Sequence, residues 1–147
     1  MTAHRLRQST DADHGRLFEI WESAVRATHH FLTPADFDFF ARMVRDEYLP
    51  SRRFIVAVDH EDRAAGFLGA TGNEIEALFV DADHHGRGIG SLLLGDMLRK
   101  PGKLFVEVNE QNPGARGFYE RLGFRTIDRM PLDATGRPYP ILRMERS

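Results

Sequence analysis

Gly86, Gly88 and Gly90 alternate with Arg87 and Ile89, and Ser91 follows; an apolar run precedes them and an amphipathic segment comes after. That order builds a seat for an anion. Backbone N–H groups at a helix start have no intrahelical partner, and the macrodipole adds partial positive charge there. Glycines remove the Cβ atoms that would hold a phosphate away from those amides. Two phosphate-binding patterns fail. A P-loop needs a lysine after its last glycine, and none follows here. A dinucleotide fingerprint needs a third glycine where Ser91 stands, directly after its strand, whereas the polar run Asp81-Ala82-Asp83-His84-His85 intervenes.

The chain has 147 residues, enough for one ordinary domain over 1–147. Its 41% hydrophobic and 29% charged residues are globular values. A formal charge of −2 argues against a nucleic-acid partner, which needs Lys and Arg in excess on one face. No apolar run approaches the ~18 residues of a membrane span. The first residues, Met1-Thr2-Ala3-His4-Arg5, lack the apolar core of a signal peptide. Zero cysteines exclude disulfides, thiolate metal sites and a cysteine nucleophile. These features predict a soluble, cytoplasmic protein with no membrane partner. The seven histidines contain no His-x-x-x-His pair, and adjacent histidines point apart, so no metal is expected.

The elements that must position the loop are set by periodicity. Residues 3–8 read as a strand, and Thr10 with Asp13 as a helix start. Leu17, Ile20, Trp21, Ala24 and Val25 recur at helical spacing, giving a helix over 11–28. Thr33-Pro34 starts a second helix, with Phe37, Phe40, Ala41, Val44 and Tyr48 on one face, ending near Pro50. Strands come next at 54–58, 65–70 and 74–80. The glycine loop then opens a helix carrying Ile89, Leu92, Leu93 and Met97, closed by Pro101-Gly102. A strand at 104–108, a short helix from Asn112-Pro113 to Leu122 capped by Gly123, and strands at 124–130 and 138–144 complete the chain. The order β-α-α-β-β-β-α-β-α-β-β predicts one α+β domain whose mixed, mainly antiparallel sheet is flanked by helices.

A strand, Asp-x-x, then x-x-Gly-x-Gly at a helix start resembles motif A of the GCN5-related N-acetyltransferases (GNAT), which bind acetyl-CoA. The segment Asn112-Pro113-Gly114-Ala115-Arg116-Gly117-Phe118-Tyr119-Glu120-Arg121-Leu122-Gly123-Phe124 resembles that superfamily's second signature at every defined position. Ala27 to Leu32 and the tail from Asp133 to Pro140 resemble a bacterial branch, the YjaB-type acetyltransferases. The resemblance implies the GNAT fold over nearly the whole chain, and acetyl-CoA as cosubstrate. It further implies an acetyl group passed to a primary amine of a small molecule or peptide. With no cysteine to carry the acetyl group, the amine attacks directly in a ternary complex. Symmetric dimers recur in the superfamily, which allows a homodimer here. An acyl-CoA-binding regulatory module without turnover is the alternative from another class.

The resemblance assigns Arg87, Gly88, Ile89, Gly90 and Ser91 to the CoA pyrophosphate, with Gly86 completing the loop. His85 stands where Arg or Gln is usual, so its contact there would rest on backbone. The pantetheine arm would lie along the strand end at Leu78, Phe79 and Val80, where backbone groups are freed as that strand splays from its neighbour. A fixed N–H there stabilises the oxyanion that forms during attack. Tyr119 is the expected general acid for the leaving thiolate, with Phe118 beside it. Asn112 is either a helix cap or a cofactor contact, and Asn109 a weaker contact. Glu76 shares a strand face with Leu78 and Val80, as a base working through water or as a solvent-facing acid. His29, His30, Phe31 and Tyr139 are candidates for lining the acceptor pocket.

Overall fold

Side chains that accept orphaned amides mark the starts of two helices. Thr33 accepts the Asp36 N–H at 3.1 Å with Pro34 in the first turn, and Asn112 accepts the Ala115 N–H at 3.2 Å ahead of Pro113. The computed structural model describes residues 3–147. Met1 and Thr2, part of the segment read for a leader, lie outside the described residues. The elements are β1 (Arg5–Gln8), α1 (His14–Thr28), α2 (Pro34–Met43), β2 (Ile55–Val58), β3 (Ala64–Thr71), β4 (Glu74–Val80), α3 (Ile89–Arg99), β5 (Leu104–Asn109), α4 (Pro113–Arg121), β6 (Arg125–Met130) and β7 (Ile141–Arg146). The order is the one expected. Seven strands form one sheet in the sequence β1-β2-β3-β4-β5-β7-β6. The pairs β1/β2, β2/β3, β5/β7 and β6/β7 are antiparallel, and β4/β5 is parallel, so the sheet is mixed and mainly antiparallel.

The chain forms two compact units. Among the described residues the first covers 3–69 and 77–96. Its core joins Leu17, Ile20, Trp21 and Val25 of α1 to Phe54, Val56 and Val58 around β2 and Phe67 of β3. The face predicted for α1 is the buried one, and burying each large side chain contributes roughly 1.5–3 kcal/mol. The second unit covers 70–76 and 97–147. There β7 pairs with β5 from Leu104↔Arg146 to Asn109↔Ile141 and with β6 on its other side. The parallel ladder in this unit is short, Glu74↔Phe105 and Ile75↔Val106, both near the start of β4.

Three boundaries differ from expectation. Residues 11–13 form a 3-10 turn, because the Asp13 carboxylate takes Arg7 at 2.8 and 2.9 Å and the Thr10 N–H at 2.7 Å, which tightens the entry to α1. The second helix leaves α geometry after Met43 for a π turn over Val44–Tyr48 and a 3-10 turn over Leu49–Ser51. The wider turn lets the Leu49 N–H reach the Val44 carbonyl and buries both side chains, five residues apart, in one core. The last strand runs over 141–146 rather than 138–144, since Pro138 and Pro140 lack an N–H to give a ladder.

Candidate active site

Asp81 stands immediately after β4 and organises the loop that leads to α3. Its carboxylate accepts Arg16 Nη2 at 2.7 Å, Ser23 Oγ at 3.0 Å and the Asp83 N–H at 3.2 Å. Ser23 Oγ in turn accepts the Ala82 N–H at 3.0 Å. Burial alone would raise the Asp81 carboxyl, but these donors outweigh it and hold the group below the usual carboxylate range. Two residues of α1 thereby fix the start of the loop. Gly86 (φ 79°) and Gly88 (φ 75°) then adopt the left-handed conformation that L side chains resist. The Gly88 carbonyl accepts the Leu92 N–H at 3.0 Å, so Ile89, Gly90 and Ser91 are the first residues of α3, whose amides lack intrahelical acceptors. A Cβ at Gly86 or Gly88 would meet nothing within 4 Å, so the space beside both is open. The loop therefore fits a pyrophosphate. Underneath, Gly66 of β3 lets α3 approach: a Cβ there would meet Ile89 at 3.1 Å and Leu93 at 3.2 Å.

The His85 ring is turned back onto β4, with Nε2 at 2.9 Å from the Val80 carbonyl. A carbonyl only accepts, so Nε2 carries the proton and that carbonyl is engaged by the loop's own side chain. The Asp81 N–H bonds the Ala65 carbonyl of β3 at 2.8 Å. Peptide groups alternate in direction along a strand, so those of Val80 point to the opposite edge. Side chains alternate too. Ile75 and Ala77 are buried on one face, while Glu76 is exposed on the other with Leu78 and Val80 half-buried. Glu76 Oε1 accepts the Thr71 hydroxyl at 3.1 Å, and Glu74 is held by Arg143.

On α4, Asn112 serves as the cap, its side chain taking the Ala115 N–H. The helix closes as a Schellman motif, with Gly123 (φ 96°) bonding the Glu120 carbonyl and Phe124 the Tyr119 carbonyl, each at 3.0 Å. That closure places Tyr119 between two rings, Phe118 at 5.1 Å and Phe124 at 5.3 Å, both edge to face. Tyr119 is 5% exposed, and burial pushes its phenol well above the ordinary range. It keeps its proton at neutral pH. Asn109 is half-buried at the end of β5, opposite Ile141. Tyr139 is buried, and its N–H turns back to the Arg137 carbonyl at 2.8 Å.

At the C-terminal end of α1, His29 and His30 behave differently. His30 Nε2 lies 3.0 Å from the Ala27 carbonyl, and its ring is exposed. His29 Nδ1 lies 2.7 Å from Thr28 Oγ1, with the half-buried Phe31 ring at 5.1 Å. Burial, with a smaller contribution from His30, lowers the His29 imidazole to about 4.

Comparison with known proteins decides the family. Residues 23–137 match the acetyltransferase (GNAT) domain. The chain belongs to the GNAT family. It is 39% identical, over 95% of both chains, to the peptidyl-lysine N-acetyltransferase YjaB of Salmonella typhimurium. The solution structure of apo YjaB from Escherichia coli superposes with a TM-score of 0.91 at 35% identity, covering 98% of this chain and 97% of that one. The PaiA N-acetyltransferase of Thermoplasma acidophilum, solved with coenzyme A, shares the fold with a TM-score of 0.78 at 19% identity, over 99% of each chain. The chain is thus an N-acetyltransferase of GNAT fold.

Within that family frame, the first unit gathers Leu78, Phe79, Val80, the loop from His85 to Ser91, and the His29–Phe31 corner. The second gathers Glu76, Asn109, Asn112, Phe118, Tyr119 and Tyr139. Sequence reasoning takes Asp81 only as a motif letter and misses its partners. The signal is there: Arg16 and Ser23 are seven residues apart, two turns of one helix face, beside a lone acid at a strand end.

Proposed function

We propose that this GNAT domain, acting as one catalytic unit over residues 1–147, transfers acetyl from acetyl-CoA to a primary amine by direct attack in a ternary complex. Lysine side chains of peptides are the first acceptor class and small-molecule amines the second. The observation that carries the reading is the pair of left-handed glycines opening α3, which leaves its first amides open to a pyrophosphate. Acetyl-CoA supplies the activated thioester. Gly88, Ile89, Gly90 and Ser91 receive its pyrophosphate through backbone N–H groups, and the exposed Arg87 adds a charged contact. The peptide groups of Val80 face away from β3; the Val80 N–H is the donor for the developing oxyanion, its carbonyl being taken by His85. Tyr119 gives its proton to the leaving thiolate, and Glu76 accepts the proton of the amine through water. Asn112 holds α4 in place through its cap. The acceptor class rests on the activity named for YjaB. A chain with zero cysteines suits the reducing cytoplasm, where we place it. The test is release of free CoA from acetyl-CoA across a panel of lysine peptides and small amines. Release that depends on a lysine peptide is expected; CoA binding without amine-dependent release would overturn the reading in favour of a non-catalytic module.

A further inference from the structure

The imidazole of His29 is locked in one tautomer by its neighbours. The Thr28 hydroxyl has a single proton, and Thr28 Oγ1 lies 2.7 Å from the Ala24 carbonyl, which can only accept. The hydroxyl proton is therefore committed to Ala24. His29 Nδ1, also 2.7 Å from Thr28 Oγ1, must be the donor in that contact. A neutral ring with its proton on Nδ1 carries a bare lone pair on Nε2. His30 shows the opposite arrangement, since its Nε2 faces the Ala27 carbonyl and must donate.

A fixed lone pair on a half-buried ring asks for a donor. A metal ion is one taker, but among the described residues no group of three or more His, Cys, Asp and Glu gathers to hold one. The remaining takers are N–H and O–H groups of a ligand. Position selects among them. His29 is the C-terminal cap of α1, where the macrodipole places partial negative charge, and that end favours a cation. A neutral imidazole accepts an N–H from such a cation without charge repulsion. The same helix is clamped to the loop by Arg16 and Ser23 through Asp81. Ser23 lies six residues before His29, roughly 9 Å along the axis, so the ring is held at a set distance from the loop.

We infer that His29 is a positioning residue for the acceptor, with Nε2 taking an N–H of the incoming alkylammonium and Thr28 fixing the tautomer that allows it. This rests on the proposed acetyl transfer and adds the group that grips the amine. His29 is not the base, because a ring that stays neutral at the working pH binds the substrate proton too weakly to remove it.

The test combines spectroscopy with kinetics on the whole chain. Two-bond ¹⁵N–¹H correlation of the imidazoles, with His29 assigned by its loss in His29→Gln, reports the tautomer without turnover. The Nδ1–H form is expected in the wild type, with a shift toward Nε2–H in Thr28→Val; a dominant Nε2–H form in the wild type overturns the inference. With a lysine peptide as acceptor, His29→Ala should raise its KM roughly tenfold or more while the KM of acetyl-CoA holds. His29→Gln, whose amide oxygen still accepts, should recover part of that loss. An active wild type whose acceptor KM is unmoved in His29→Ala overturns this inference alone. A wild type that binds CoA and acetylates no amine overturns the functional reading beneath it.

Discussion

Tyr119 on α4 and His29 at the end of α1 are both held neutral by burial, and in opposite ways. Desolvation penalises the charged form of each, so the phenol rises and the imidazole falls to about 4. Tyr119 lies between two aromatic rings and keeps a proton to give. His29 is held by a hydroxyl and one ring, and presents a lone pair to receive. One physical cause thus produces a donor in one place and an acceptor in the other, and the chemistry of the nearest neighbours decides which.

The comparison breaks most visibly on the donor side. Tyr119→Phe keeps both ring contacts and removes only the hydroxyl, so turnover should fall by about a hundredfold or more while CoA affinity changes little. Steady-state kinetics beside CoA titration would show it, and unchanged turnover would strip Tyr119 of its role.

A smaller effect should appear when the helix carrying the acceptor is loosened. Asp81→Ala leaves Arg16 without its carboxylate in a site where the Asp81 side chain is 11% exposed. We expect a loss of about 3 kcal/mol, the low end for a broken buried pair, read by denaturant unfolding. The donor side should survive this change: Tyr119 fluorescence and its contacts within the second unit are expected to stay as in the wild type. A drop well under 1 kcal/mol would show that the clamp does not hold α1.

The finest test is titration. The folded imidazole of His29 lies near 4 against an ordinary 6.5, so the unfolded chain binds the extra proton between those values. Its contribution to stability is fully present above pH 6.5 and is lost as pH falls from 6.5 toward 4. His29→Gln should flatten the stability curve in that window. The acid limb below pH 3.8, where Asp13 is held at about 2 by Arg7, should be unchanged.

The order of elements is legible because two of the helices open on a cap followed by proline and each strand reads as its own run. Thr33-Pro34 and Asn112-Pro113 mark starts that the structure uses. Leu49 is missed from the buried face of the second helix because it comes five residues after Val44, a spacing that shares a face only in a π turn. Strand neighbours are illegible for a different reason: which edge β7 joins depends on packing among distant segments. The glycine loop can be read directly, since positive φ writes itself as glycine. The state of His29 cannot, because it depends on where one hydroxyl of Thr28 sends its proton. Asp81 stands between these cases, a visible acid whose partners lie 58 and 65 residues away.

The placement of β7 has a consequence for synthesis. Ile141–Arg146 is flanked by β5 and β6, yet the ribosome makes it after both. Until it emerges, the edges of both strands that will bond it stay open, and open edges are where one nascent chain can pair with another. The second unit therefore closes from its middle, and its last-made strand seals both neighbours at once.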